Sequence, residues 1–514
     1  MIRFFTQIKP FYRIIIYSII IGLSCLFIWG IGTNGENWGD DNASYIMQSL
    51  SLINGSPQEY FDLNRFTIET STDKLGPIVY PWGYPTLLAP IILIFGIDIV
   101  KLKLIGILSF ILFLVILFWG FRKVHSDFWL ISFVCIFAYH PFLLQYTDQI
   151  NSDLPFLLTS TISIILIKIS IIEKREIFSK FIDSIILGSV ICISFFLRTN
   201  GILLIITLLI SEFTSLLTSP GIDSYKNKSV LYISGKSMKS LNTLISFIPF
   251  LMFVLFTLLS ELFLPKGSGT AYFNYLEDIS FLSIKNQILC YMELPSTFFS
   301  GIPFPSLLFG ASIPLAISGI IQRLQTDYHS IIYILLTFTL LIIWPYQQGL
   351  RFLFPILPLY FSFVISGLES FCEQKSFHNG NLREIISRLI ICLVIFCLVE
   401  NSTKMAFKNI ENNKVKTFGP YTHNSQEMFT FIKEQTEDES IVIFWRPRMM
   451  SFMTGRKSFQ SHFKESISGD YFCYYLKDDG WDQPSEEDMR IIHNKYKSNI
   501  VFENPDFRIY KLSE

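Results

Sequence analysis

Asp40 and Asp41 stand side by side in Trp38-Gly39-Asp40-Asp41-Asn42-Ala43-Ser44-Tyr45, a few residues after the first long apolar run. A carboxylate at the edge of a bilayer can take a proton from a hydroxyl group. It can also serve only as the cap and solvated acid of a helix, here expected over 42–54. The neighbours on the same side of the membrane decide between these roles. Arg198 lies between two apolar runs with almost no loop, and Arg351 precedes Phe352-Leu353-Phe354-Pro355. Snorkelling to lipid headgroups would account for either arginine alone. Together they make a planar, permanently charged clamp for a phosphate or pyrophosphate. Lys74 is a third candidate cation, and Asp153 opens an apolar run either as a helix cap or to orient substrate. The turn Tyr80-Pro81-Trp82-Gly83-Tyr84-Pro85 suits an interface anchor, and its rings would also stack on a sugar.

The elements that must hold these residues are membrane helices. Hydrophobic residues make up 51% of the 514, including 51 phenylalanines, and the mean hydropathy is +0.44. Runs long enough to cross the hydrocarbon fall at 11–31, 101–121, 128–146, 154–172, 181–197, 201–217, 241–264, 303–321, 328–344, 352–368 and 385–399, about eleven spans in all. The third is interrupted at His140-Pro141, where His140 reads as a buried or interfacial histidine, and 84–95 reads as a helix lying at the interface. Arg3, Lys9 and Arg13 precede the first run, which no small-residue cleavage site follows, so it reads as an uncleaved span. Alternate connections contain Arg122 and Lys123; Lys174, Arg175 and Lys180; Lys226, Lys228, Lys236 and Lys239; Arg323; and Lys375, Arg383 and Arg388. That pattern puts the N-terminus in the cytoplasm, with the acidic 34–81 loop and the tail outside. The domains expected are a transmembrane part, 1–401, with an outer catalytic loop over 32–100, and a small soluble α/β domain, 402–514. In the latter, helices are predicted at 424–435 and 486–497, and strands at 440–445, 500–503 and 508–512. The net charge of −1 argues against nucleic acid as a partner. The eight cysteines show no metal-ligand spacing, although Cys290 and Cys473 would share a compartment that allows a disulfide.

The ordered set of Asp41 with Tyr45, the Tyr80–Pro85 turn, Asn151-Ser152-Asp153, Arg198-Thr199-Asn200-Gly201 and Arg351-Phe352-Leu353-Phe354-Pro355 resembles the GT-C superfamily of membrane glycosyltransferases. The likeness is to bacterial relatives of the dolichyl-phosphate-mannose protein mannosyltransferases and of the lipid A aminoarabinose transferase, over roughly residues 1–370. Where the latter have a lysine before the prolines, this chain has Tyr80.

The resemblance implies a multi-pass enzyme of the bacterial plasma membrane. It would move a hexosyl or pentosyl group, with inversion, from a polyprenyl-phosphate carrier to a hydroxyl of a lipid, glycan or protein on the outer face. Asp41 would be the base, with Asp40 as the alternate. Arg198, Arg351 and Lys74 would bind the donor phosphate, and Asp153, Tyr45, Tyr80, Trp82 and Tyr84 the substrates. No cofactor is implied, although carboxylate and phosphate oxygens suit Mg²⁺ or Mn²⁺ and a metal bridging Asp40 and Asp41 is chemically conceivable. An O-antigen ligase or polymerase would also use outer arginines but does not require the early Asp-Asp loop. A transporter or flippase would place charges near the bilayer midplane and pair its broken helices.

Overall fold

The structure is a computed structural model that describes residues 9–172, 176–218, 244–265, 277–347, 349–373, 380–411, 418–462, 469–477, 483–484 and 498–512. Among these, six helical runs are long and apolar enough to cross a membrane: Phe11–Ile31, Ile99–Phe121, Asp153–Ile171, Ile177–Leu197, Leu244–Phe263 and Pro305–Ile343. Shorter apolar helices, including Asp127–Ala138, Thr199–Ser215 and Leu357–Cys372, pack among them. Among the described residues the expected spans are divided into helices differently, for local reasons. Pro141 has no N–H to donate, so the third run splits into Asp127–Ala138 and Pro141–Tyr146. The two runs expected at 303–321 and 328–344 join into one, broken only by non-helical backbone at Asp327. The last run extends well past its expected end, as Gly380–Glu411, and the expected boundary between 401 and 402 falls inside it. Apolar side chains cover the outside as well as the core: Leu262 and Phe263 are each 77% exposed. Such a surface suits lipid as the solvent.

His140 is buried, as expected, with its ring stacked on Phe298 and Nε2 donating to the Phe298 carbonyl at 2.6 Å. Cys290 and Cys473 are both free thiols, Cys473 deep in the core of the tail domain.

That domain carries a five-stranded mixed sheet of order β2-β1-β3-β5-β4. The strands are β1 (Ile441–Ile443), β2 (Lys457–Phe459), β3 (Tyr471–Tyr475), β4 (Asn499–Glu503) and β5 (Phe507–Lys511). The expected helix at 424–435 is His423–Gln435, and that at 486–497 lies outside the described residues. Strands β2 and β3 and the helix Pro447–Thr454 were not anticipated.

The domain is not a free appendage. The Trp38 ring, from the first loop, lies 5.4 Å from Trp445 and within 6.2 Å of Phe429, Phe444, Tyr475 and Phe507, so one aromatic core serves both parts. The loop also covers the open edge of β2: Thr67 Oγ1 donates to the Ser458 carbonyl at 2.9 Å, and the Thr72 N–H to the Gln460 carbonyl at 3.0 Å. An edge strand so occupied cannot pair with another chain.

Two features tie the loop to the helix bundle. At Gly83 an added methyl would sit 2.4 Å from the Phe196 carbonyl oxygen, so only glycine lets the Gly83–Phe95 helix start against the end of Ile177–Leu197. At the loop's root, Lys103 Nζ is buried and donates to the Gly35 carbonyl at 2.6 Å and to Asp148 Oδ1 at 2.7 Å. Glu36 beside it accepts the Ile150 N–H at 2.9 Å. Burial pushes the Glu36 carboxyl up to about 7, partly opposed by the Lys103 charge and by backbone N–H donors.

Gly83→Ala should cost about 1–3 kcal/mol through overpacking, read as a lower melting temperature in detergent. An unchanged melting temperature would show that the contact is slack. Glu36 binds its proton more tightly folded than unfolded, so its contribution is present in full below about pH 4.5 and is lost as pH rises through about 7. The melting temperature of the native chain should therefore fall more steeply over that window than that of Glu36→Gln, and parallel curves would remove the assignment.

Candidate active site

The first loop presents one helix face to the site. The helix expected at 42–54 is Asp40–Ile53, so both carboxylates sit in its first turn, favoured by the helix dipole. Residues 41, 45 and 48 share a face at helical spacing. Tyr45 is buried between two other rings of the loop, 4.9 Å from Tyr80 and 4.9 Å from Tyr84, and its hydroxyl meets Ser152 Oγ at 3.1 Å. Gln48 clamps the Tyr80 backbone, accepting its N–H at 3.2 Å and donating to its carbonyl at 3.0 Å. With its main chain fixed, the Tyr80 phenol donates to Asp41 Oδ1.

The close contact at Gly83 brings this face to the end of the Ile177–Leu197 helix, and Arg198 is the next residue. There the chain turns through Gly201, where a Cβ would meet the Phe195 nitrogen at 2.4 Å. Arg198 Nη1 is bonded to Asp153 Oδ1, and Arg351 Nη1 lies 4.0 Å from Asp153 Oδ2 and 3.8 Å from Asp41 Oδ2. Both guanidiniums sit against the Phe352 ring, at 4.8 and 5.2 Å from its centre. Four charged residues from four separate stretches of chain therefore form one row, Asp41–Arg351–Asp153–Arg198. Asp153 is buried, whereas Asp41 and Arg351 keep more than a third of their side chains exposed. At 3.8–4.0 Å the Arg351 contacts are longer than hydrogen bonds, so its N–H donors remain available to an anion. Burial alone would lower the Arg351 pKa, but the Asp153 and Asp41 carboxylates outweigh it and hold the group above its ordinary value. It stays charged at any working pH.

Other sequence-predicted residues lie elsewhere. Asp40 is buried against the tail domain, where Oδ1 accepts the Met449 N–H at 3.3 Å. Burial raises its pKa, against the opposing charges of Arg448 and Arg446. Lys74 pairs with Asp278 at the surface, where Tyr346 also donates to Asp278 at 2.6 Å. Trp82 is packed with Tyr60, Ile78 and Val79, and Tyr84 is fully buried behind Tyr45. Sequence reasoning missed Gln48, Phe352 and, above all, Arg448. Arg448 follows the short apolar strand expected at 440–445, as Arg446-Pro447-Arg448, and nothing in that local pattern marks it as a site residue.

Among the described residues no three His, Cys, Asp or Glu side chains form a group that could hold a metal ion. The two candidate carboxylates are divided between partners, Asp40 with the Met449 N–H and Asp41 with Tyr80 and Arg351.

No family model matches the chain, and the search of curated proteins gives no significant match. Solved structures do match. ArnT from Cupriavidus metallidurans, the lipid A aminoarabinose transferase, aligns in its apo state over 97% of both chains at 9% identity with a TM-score of 0.55. Bound to undecaprenyl phosphate, it aligns over 98% of both at 9% identity and 0.57. The apo oligosaccharyltransferase of Archaeoglobus fulgidus aligns over 91% of this chain and 70% of its own, at 11% identity and 0.57. The chain has the fold of the GT-C membrane glycosyltransferases.

Proposed function

We propose that the chain transfers a sugar from a polyprenyl-phosphate carrier to a hydroxyl acceptor, a lipid, glycan or protein, on the outer face of a bacterial plasma membrane. The observation that carries this reading is the exposed Asp41 carboxylate 3.8 Å from the available Arg351 guanidinium, at an end of the helix bundle where an isoprenoid chain would stay in lipid. The crystal structure of the ArnT likeness with undecaprenyl phosphate supports a lipid phosphate as the ligand of such a fold.

Asp41 takes the acceptor's hydroxyl proton while that oxygen attacks the anomeric carbon. The bond from the anomeric carbon to the phosphate oxygen breaks as the new one forms, and the electron pair leaves with the lipid phosphate. Arg351 and Arg198 stabilise that departing anion, which competes with Asp153 for their donors. Charge builds on the sugar as in glycoside hydrolysis, and a single displacement inverts the anomeric centre. Asp41 serves as the base because it keeps more than a third of its side chain exposed beside Arg351, whereas Asp40 belongs to the contact with the tail domain. Lys74 stands with Asp278 and takes no part in the step; Tyr45 and Tyr80 shape the base rather than grip the sugar.

Mass spectrometry of surface glycolipids and glycoproteins, with and without the gene, should show one glycan lacking a single sugar. Identical profiles would count against transfer. In the same assay Asp41→Asn should lower product formation by about 10²–10⁴-fold, the usual worth of a general base; full activity would remove Asp41 from that role. Arg351→Gln should weaken binding of undecaprenyl phosphate at least tenfold, and undiminished binding would place the phosphate elsewhere.

A further inference from the structure

Arg448 sits on the helix Pro447–Thr454 of the tail domain and is 1% exposed, the largest fully buried side chain among the described residues. Its donors are all directed at the first loop. Nε donates to Asn64 Oδ1 at 3.0 Å, Nη2 to the Pro77 carbonyl at 2.7 Å and Nη1 to the Tyr80 hydroxyl at 3.3 Å, while the guanidinium lies 5.3 Å from the centre of the Tyr80 ring. Stripping water from a guanidinium is costly unless such acceptors replace it. A guanidinium can only donate. The Tyr80 oxygen must therefore accept from Arg448, and its own proton is directed to its other neighbour, Asp41 Oδ1. The Gln48 clamp on the Tyr80 backbone keeps the phenol from swinging away.

We propose that Arg448 is a positioning residue: through Tyr80 it fixes Asp41 so that Oδ1 is capped and Oδ2, on the Arg351 side, is the oxygen that meets the acceptor. The tail domain is thereby a working part of the active site, since only a docked domain supplies the guanidinium. The proton taken from the acceptor ends on Oδ2, and neither Tyr80 nor Arg448 exchanges one during the step. The inference rests on the transfer reaction proposed above.

The test is a double-mutant cycle in the full-length chain, with Tyr80→Phe, Arg448→Lys and both together. Turnover is read as the mass-spectrometric yield of the glycan that is lost when the gene is deleted, and ground-state binding as the Kd for undecaprenyl phosphate. Each single change should lower turnover at least tenfold and leave the Kd within twofold. The double variant should be no worse than the poorer single, because both changes cut the same line of contact. Losses that multiply, full turnover in Tyr80→Phe, or a Kd that moves as far as turnover would each overturn the proposal. Tyr80→Phe removes a single oxygen and so keeps the test decisive should Arg448→Lys fail to fold. If the native chain transfers no sugar, the transfer reading fails on its own, and a second measurement still judges the contact. The ¹⁹F resonance of 3-fluorotyrosine placed at position 80 should move in both Arg448→Lys and Asp41→Asn; a resonance that stays put in either overturns the relay.

Discussion

Asp153 is the charge around which the site closes. Burying a carboxylate with 3% of its side chain exposed is costly unless opposite charges stand close by, and Arg198 and Arg351 supply them from stretches 45 and 198 residues away. Where the two guanidiniums stand is thereby determined, and with them the ends of the helices that bear them. Phe352 adds an apolar floor beneath both. The network leaves one cation held more loosely than the other. Arg198 is bonded to Asp153, while Arg351 has only longer contacts and more exposure, so an arriving anion would recruit Arg351 first.

Around this row, hydrogen bonds take over from charge. The loop helix is oriented by its Tyr45–Tyr80–Tyr84 ring cluster and by Gln48, and its start is tied to the tail domain through Asp40 and Met449. Adjacent carboxylates thus acquire different work: one is buried to join two parts of the molecule and the other stays partly exposed beside Arg351. At the opposite end of the bundle the charged side chains serve packing, as in Arg13 with Asp127, Lys168 and Arg323 with Asp327, and His125 with Glu369.

Helix-forming apolar runs were legible from composition and length, because lipid demands about twenty such residues at a stretch. Their interruptions were legible only where proline announced them, as at Pro141; the break at Asp327 depends on its pairing with Lys168 and Arg323, which no local pattern reveals. Arg198 and Arg351 stood out because basic residues are scarce on the expected outer side, and Asp41 and Asp153 because they open helices on that same side; the structure brings all four together. Lys74, equally conspicuous, is occupied by Asp278 from a distant loop. Arg448 escaped notice because its meaning lies in a partner 368 residues earlier in the chain. Trp82 and Tyr84 look like exposed aromatics in a turn, yet their rings complete the loop's own packing.

The aromatic core shared by Trp38 and the tail domain bears on biosynthesis. Trp38 leaves the ribosome about 400 residues ahead of its partners Phe444 and Trp445 and about 470 ahead of Phe507, a delay of roughly 20–90 s at usual elongation rates. Throughout that interval the indole has no finished shelter, and the loop that carries Asp41 lacks the partners that define its shape. A chain caught midway, or one shortened at its far end, is thus an immature protein whose first loop has not yet taken its final shape.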